Sequence, residues 1–237
     1  MIKQRRVMLA AGLALVFILG TAYTIVWYRY SQDDCVDLAD DPERWAYLES
    51  RWSEGGVVLV QRHATKCLNE GPDCPDGNEV LTDLGRLESR ALGAGLREAL
   101  GGSFEVRHSY LTRTHDTARL AFDHSTRSRA LEKPCKETFN DHIREVETPA
   151  GGNLVLVTHS SCINALRGRN GRRLLGFNAG RSWNFGLSAF VERGADGHNE
   201  PIGCMRPLDW ANMAGKLAPT IRESIARGIK RPPPIRF

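Results

Sequence analysis

The sequence predicts an α/β domain that follows an N-terminal membrane helix. Three observations lead to this prediction. Residues 7–28 carry no charge, two short apolar runs indicate buried strands, and strand-like and helix-like segments alternate along the chain. The two runs are Val57–Val60 and Leu154–Val157, and four consecutive apolar residues are typical of a strand buried on both faces of a parallel sheet. The alternation favours one α/β domain with a mostly parallel sheet.

The uncharged segment 7–28 has 22 residues, and about 20 residues are enough to span a bilayer. Lys3, Arg5 and Arg6 precede it, whereas only Arg29 follows closely. The positive-inside rule then puts the N-terminus in the cytoplasm and the rest of the chain on the other side. The sequence thus predicts a single-pass membrane protein whose main domain lies on the non-cytoplasmic side.

A cleaved signal peptide is the alternative for this segment. Its apolar region has about 7–15 residues and ends in small side chains. The run here is longer and ends in the bulky stretch 25–28, which suits a membrane interface. We therefore favour an uncleaved anchor, although Ala10, Ala11 and Gly20 leave cleavage open.

The net charge of +4 comes from the N-terminal segment. Residues 1–30 hold four basic residues and no acidic one, which leaves 28 basic and 28 acidic residues in the remainder. A neutral main domain gives no indication of nucleic-acid binding. The basic tail 227–236 is interpreted as a solvated tail, with contact to anionic lipid as the alternative.

The remaining segments follow from helical and strand periodicity. Thr82 is a candidate N-cap for a helix that ends at Gly101-Gly102. In chain order we predict a linker helix within 31–54, a helix at 81–100, a strand at 104–110, helices at 111–122, 137–147 and 161–166, a strand at 189–191, and a last helix beyond about 213. The predicted organisation is an anchor (1–30), a linker helix (31–54), the main domain (55–212), and a C-terminal helix with a Pro-rich basic tail (213–237).

Each apolar strand is followed by a histidine. Arg62-His63 comes directly after the first strand, and Thr158-His159 ends the second. The carboxyl ends of parallel strands share one edge of the sheet, which is where ligands bind in open α/β sheets. An arginine offers a planar fork to phosphate oxygens, and a neutral imidazole is a nucleophile. The pattern indicates chemistry at a phosphoryl group, although each histidine alone is equally typical of a structural residue.

Arg113 is a further candidate for phosphate binding. A helix that starts near Leu111 places this arginine in its first turn, where free backbone N–H groups favour an anion. An exposed arginine in a surface ion pair is the alternative.

Six cysteines in an exported chain indicate disulfides. Cys67 and Cys74 bracket a loop rich in Gly, Pro and Asp, so they are the easiest local pair. Cys135 and Cys162 are the next pair that we expect. Two cysteines, at positions 35 and 204, are left to pair with each other or to stay free. Zinc is disfavoured because no two cysteines have the Cys-x-x-Cys spacing.

As a set, these segments resemble the histidine phosphatase superfamily, also called phosphoglycerate-mutase-like. The resemblance covers about residues 55–166. The matching segments are Arg62-His63-Ala64, Leu81-Thr82-Asp83-Leu84-Gly85 with Leu92-Gly93, Ser109-x-x-x-Arg113-x-x-x-Thr117-Ala118, and Val157-Thr158-His159.

The resemblance implies a three-layer α/β/α domain and a phosphatase reaction. His63 would form the phosphohistidine, while Arg62, Arg113 and His159 would hold the phosphoryl oxygens. It implies neither a metal nor another cofactor, because side chains supply the positive charge. Ala64 stands where the family has Gly, which is tolerable if its φ is negative.

The general acid is not fixed by the resemblance. The residue after His159 is a serine, so the His-Asp pair of the acid phosphatase branch is absent. Glu132 and Glu137 are the two favoured candidates among the carboxylates between Arg113 and His159. The others are Asp141, Glu145 and Glu147. Without an acid, the enzyme would prefer leaving groups of low pKa.

A narrower resemblance is to the bacterial lipopolysaccharide core heptose(II)-phosphate phosphatases. It rests on the anchor, on Arg-His-Ala, and on the cysteine layout around 67–74, 135 and 162. It implies an enzyme of the bacterial inner membrane with its catalytic domain in the periplasm, acting on a phosphorylated sugar or glycolipid of the envelope. Specificity is expected to lie in loops such as 67–78 and 168–183. Two other hypotheses remain: a non-catalytic phosphate-binding protein of the envelope, and a phosphohistidine phosphatase acting on proteins, which predicted export disfavours. The oligomeric state is left open.

Overall fold

The computed structural model describes residues 20–21, 23–24, 35–68, 74, 79–132, 135, 138–167, 185–194, 196–215 and 219–228. Residues 1–34 and 35–237 are separate compact units. Of the predicted span 7–28, only positions 20, 21, 23 and 24 are described, and these are helical. Among the described residues, no helix combines the length and apolar character that crossing a bilayer requires. The membrane anchor therefore stays a prediction, as do the loop 168–183 and the tail.

The second unit alternates strands and helices, as predicted. Its strands are β1 (Val58–Arg62), β2 (Phe104–His108), β3 (Thr126–Arg127), β4 (Asn153–Thr158), β5 (Ser188–Arg193) and β6 (Asn199–Met205). Its helices are α1 (Pro42–Glu54), α2 (Asp83–Ala99), α3 (Thr112–Phe122), α4 (Thr138–Glu145), α5 (Ser160–Ala165), α6 (Pro207–Met213) and α7 (Pro219–Gly228). A 3₁₀ turn at Arg129–Leu131 follows β3.

The strands form one mixed sheet in the order β3-β2-β4-β1-β5-β6. The first four strands are parallel to one another, whereas β5 and β6 run antiparallel to them. The apolar runs of β1 and β4 are central neighbours, so both are covered on two faces, as their uninterrupted hydrophobicity predicts. The carboxyl ends of β1, β2 and β4 consequently meet at one edge.

Two apolar layers cover the sheet, giving the three-layer architecture. On one face, α1, α2, α3 and α6 pack on alternate strand residues such as Leu59 and Val157. On the other face, α4 and α5 pack on the intervening residues, such as Val60 and Leu156. The side chains alternate because strand geometry has a period of two. The helix within the predicted linker, α1, contributes Leu48 and Trp52 to the first layer.

Three disulfides are present among the described residues. Cys67–Cys74 and Cys135–Cys162 are the two predicted pairs, and Cys35 pairs with Cys204. The last pair joins residues 169 positions apart. It therefore fastens the start of the unit to the edge strand β6, which no local spacing could predict.

The prediction from sequence missed β6, α6 and the short strand β3. Strand β6 contains Pro201, which removes a backbone donor and weakens the strand signal. Its place at the sheet edge, beside a bulge between Phe190 and Val191, accommodates the proline. The sheet is mixed because β5 pairs antiparallel with β1 and β6 pairs antiparallel with β5.

Candidate active site

The two predicted histidines lie side by side at the carboxyl edge of the sheet. In the parallel pairing of β1 and β4, Arg62 is opposite Thr158, and the backbone N–H of His63 donates to the Thr158 carbonyl at 3.0 Å. The centroids of the His63 and His159 rings are 5.5 Å apart, with the rings near edge-to-face. The sheet thus brings together two residues that are 96 positions apart in the sequence.

The His63 imidazole is held in one tautomer. Its Nδ1 lies 2.9 Å from the Ala64 carbonyl oxygen, which can only accept a hydrogen bond, so Nδ1 carries the proton. Nε2 keeps its lone pair. Burial lowers the pKa of His63 well below 6.5, the Ala64 hydrogen bond opposes this, and the charges of Arg62, Arg113 and His159 lower the pKa further. At neutral pH this ring is a neutral imidazole, a state in which it is able to act as a nucleophile.

Arg62 supplies a buried cation next to His63. Burial lowers its pKa to about 10, with the Glu88 carboxylate opposing the shift, so the guanidinium stays charged at neutral pH. The guanidinium carbon lies 4.2 Å from the centroid of the Phe185 ring, a distance that allows cation–π attraction. The same ring is 5.4 Å from the His63 ring. Phe185 therefore packs against both groups that the sequence predicts to act on phosphate.

Arg113 enters the site from the first turn of α3. Its side chain is only 4% exposed and forms an ion pair with Glu79, whose side chain is 51% exposed. Arg113 is close enough to His63 to lower the pKa of that histidine. The alternative of an exposed surface arginine is therefore wrong, because its guanidinium is buried beside the nucleophile.

His159 is fully buried and is held by a chain of hydroxyl groups. Its Nε2 lies 2.8 Å from Ser109 Oγ, which is 2.8 Å from Thr114 Oγ1. The Thr114 hydroxyl in turn donates to the Leu111 carbonyl at 2.6 Å. This chain fixes the ring between the end of β2 and the start of α3.

The loop after His63 rests on the start of α2. Glu88 accepts hydrogen bonds from the Thr65 backbone N–H at 2.8 Å and from its hydroxyl at 2.9 Å. Burial raises the pKa of Glu88 to about 7, although these hydrogen bonds and the Arg62 charge oppose the shift. A Cβ on Gly85 would lie 2.0 Å from the Thr65 carbonyl oxygen, so only glycine permits this approach.

Ala64 fits where the resembling family has glycine. Among the described residues Asp123 is the one non-glycine residue with positive φ, so φ of Ala64 is not in the left-handed region. The Ala64 N–H donates to Thr117 Oγ1 at 3.1 Å. This hydrogen bond joins the loop after His63 to α3, the helix that carries Arg113.

The two predicted acids have different outcomes. Glu132 is exposed and follows Leu131, whose carbonyl accepts from the Thr158 hydroxyl at 3.1 Å, so it lies near the end of β4. Cys135 Sγ lies 3.3 Å from its backbone carbonyl oxygen, but among the described residues no hydrogen bond or ion pair involves its carboxylate. Glu137 lies outside the described residues. The role of general acid stays a prediction for both.

Sequence reasoning missed three residues of this site: Glu79, Glu88 and Phe185. A signal existed for Glu88 alone, since a carboxylate at this position interrupts the apolar face of α2. Glu79 and Phe185 lie in connecting segments without periodicity. For metals, the described residues contain no cluster of three or more histidine, cysteine or carboxylate side chains that could hold an ion.

Comparison with known proteins gives limited similarity. No family model and no curated protein matches the chain. Among solved structures, the protein histidine phosphatase SixA complexed with tungstate is 17% identical, covering 64% of this chain and 97% of its own, with a TM-score of 0.48. A phosphoserine phosphatase from Entamoeba histolytica, in complex with 3-phosphoglyceric acid, is 13% identical, covering 63% and 96%, with a TM-score of 0.42. Likeness at this level assigns neither a family nor a function to the chain.

Proposed function

We propose that this protein is a phosphatase of the histidine phosphatase type that hydrolyses phosphomonoesters through a phosphohistidine at His63. One observation carries the proposal: a neutral, buried imidazole with its Nε2 lone pair available lies beside two buried arginines. A nucleophile surrounded by fixed cations suits the transfer of a charged phosphoryl group.

The reaction has two steps. The lone pair on His63 Nε2 attacks phosphorus, and the bond from phosphorus to the leaving-group oxygen breaks. Arg62 and Arg113 bind the non-bridging oxygens, and His159 faces the same region from β4. Nδ1 keeps its proton throughout and donates to Ala64, which stabilises the positive charge that develops on the ring. Water then attacks phosphorus, the phosphorus–nitrogen bond breaks, and inorganic phosphate leaves.

The proposed location is the periplasmic side of the inner membrane, through an anchor at residues 7–28. The charge pattern of residues 1–30 supports it, and so do three disulfides, which persist in oxidising compartments. Carbonate washing should leave the full-length protein in the membrane fraction. A soluble species beginning near residue 30 would show cleavage, and a reporter fused after Phe237 would report the side of the membrane.

The proposed substrates are phosphorylated sugars or glycolipids of the cell envelope. The predicted location supports this class, as does the resemblance to heptose-phosphate phosphatases. A phosphohistidine phosphatase acting on proteins is the alternative, because attack by His63 also cleaves a phosphorus–nitrogen bond. Comparing rates on lipopolysaccharide fragments, sugar phosphates and a phosphohistidine peptide separates these classes.

Rapid-quench trapping with a labelled aryl phosphate tests the reaction itself. Wild-type enzyme should acquire label in a bond that is labile in acid and stable in base, as a phosphoramidate is. H63A should acquire none. Label that persists on H63A would place the nucleophile elsewhere, and binding of phosphate without turnover by the wild type would support a non-catalytic envelope protein instead.

A further inference from the structure

The proposed reaction needs a proton donor for the leaving group. When the bond from phosphorus to an alkyl oxygen breaks, the alkoxide must be protonated, and a positioned acid typically accelerates this by about 10²–10⁴-fold. In an in-line displacement the leaving group departs on the side of phosphorus opposite the nucleophile. Because His63 is buried, we expect the leaving group to face solvent. The acid must therefore lie on the solvent side of the phosphoryl-binding groups.

Glu79 occupies such a place. Its carboxylate contacts the Nη1 atom of Arg113, and the exposed fractions of the two side chains, 51% and 4%, put Glu79 on the outer side of this pair. Arg113 is also close enough to His63 for its charge to lower the pKa of that histidine. Arg113 thus interacts both with the buried His63 and with the more exposed carboxylate of Glu79.

The backbone around Glu79 is fixed to the segment that carries the nucleophile. Val80, the residue after Glu79, accepts a hydrogen bond at its carbonyl from the Cys67 N–H at 3.0 Å. Leu81 forms an isolated antiparallel bridge with Lys66. The Cys67–Cys74 disulfide closes the intervening loop. The position of Glu79 relative to His63 is therefore set by the backbone contacts of Cys67 and Lys66 with the two residues that follow Glu79.

The other nearby carboxylates are placed less well. Glu88 is 3% exposed, and both of its oxygens accept hydrogen bonds from Thr65, so it cannot reach a leaving group. Glu132 is exposed, and the described residues give it no side-chain contact to the arginines or to His63.

We propose that Glu79 is the general acid of the phosphatase reaction; the inference rests on the function proposed above. In the free enzyme the Glu79 carboxylate forms an ion pair with Arg113. Entry of the phosphoryl group gives Arg113 a stronger anionic partner, which displaces the Glu79 carboxyl from the arginine toward the leaving group. Lys66 and Arg113 are the cations that face this carboxyl, and the bound phosphoryl group offsets their charge.

The protons balance over the two steps. Glu79 takes a proton from solvent as substrate binds, and passes it to the leaving-group oxygen as the bond to phosphorus breaks. In the second step the carboxylate accepts a proton from the water that attacks the phosphohistidine. The hydroxide part of that water ends on phosphorus, and Glu79 returns its proton to solvent as phosphate leaves and the ion pair with Arg113 re-forms.

The test is the dependence of rate on the leaving group. In E79Q, kcat/KM for glycerol 2-phosphate should fall about 10²–10³-fold, because an alkoxide needs the proton. For 4-nitrophenyl phosphate, whose leaving group needs no proton, the change should stay within about threefold. E98Q, which alters an exposed glutamate of α2, is the matched control and should match wild type on both substrates.

E132Q is measured in parallel because the sequence favours that residue. Selective loss on the alkyl ester in E132Q but not in E79Q would overturn the inference, and so would an equal effect of E79Q on both substrates. A gain in affinity for inorganic phosphate, with no leaving-group selectivity, would identify Glu79 as a competing anion only. Wild-type enzyme that hydrolyses neither ester would instead refute the phosphatase function itself.

Discussion

The ends of β1 and β4 each present a histidine, but the two imidazoles are held in different ways. His63 donates from Nδ1 to its own neighbour's carbonyl, which leaves Nε2 with its lone pair. His159 is engaged at Nε2 by Ser109, which comes from a different strand end. The difference teaches that matching positions in a sheet need not give matching chemistry. The hydrogen-bond partner decides which ring nitrogen is available.

The surroundings of the two rings differ as well. Phe185 packs on His63 and also on Arg62. His159 is enclosed with the hydroxyl groups of Ser109 and Thr114. We therefore expect covalent chemistry at the β1 end and charge stabilisation at the β4 end. Three of the four predictions below address that division, and the fourth concerns the support beneath the β1 end.

The largest expected effect separates the two histidines directly. H63A should lose essentially all turnover, because no other group replaces the nucleophile. H159A should lose about 10²–10³-fold in kcat and keep measurable activity, as removal of an electrostatic donor does. Steady-state rates on an aryl phosphate measure both, with H124A, an exposed histidine after α3, as the control. Equal losses in H63A and H159A would remove the division of roles.

The second effect concerns the hydrogen bond that orients His159. S109A should reduce kcat by about fivefold, in line with about 1 kcal/mol for one hydrogen bond. The same change in an H159A background should have little further effect, because the serine acts through that ring. A double-variant cycle measures the coupling. Additive losses would show that Ser109 acts on substrate by itself.

The third effect is on the pH profile and tests the β1 end. Protonated His63 has no lone pair on Nε2, so kcat/KM should fall as pH decreases through its pKa, which lies well below 6.5. Burial is the main cause of that low pKa. F185A admits water and should move the acidic limb upward toward 6.5. An unchanged limb in F185A would mean that Phe185 does not desolvate His63.

The smallest effect is on stability and comes from Glu88, which supports the loop after β1 through its hydrogen bonds to Thr65. Its pKa is raised to about 7, so between about pH 4.5 and 7 the folded state binds more protons than the unfolded state. The free energy of unfolding should therefore decrease as pH rises through this window, by at most about 3 kcal/mol. E88Q should flatten this dependence in urea unfolding measured at several pH values. A wild-type dependence that persists in E88Q would assign it to another group.

Local pattern was enough to predict much of the fold and the core of the site. The apolar runs gave β1 and β4, and Thr82 caps α2 as predicted, accepting from the Gly85 N–H. Arg113 lies in the first turn of its helix, as the segment from Leu111 indicates. These features depend on residues within one or two turns or a single strand, so short-range periodicity contains the information.

The sequence by itself determined which residues end the buried strands, and it thereby named His63 and His159. The tertiary structure alone decided that β1 and β4 are neighbours and which nitrogen of each ring is occupied. It also decided that Glu79 contacts an arginine 34 positions away. The physical reason is that such contacts depend on the path of the chain between the elements. Periodicity records which face of an element is buried, but it does not record which other element covers that face.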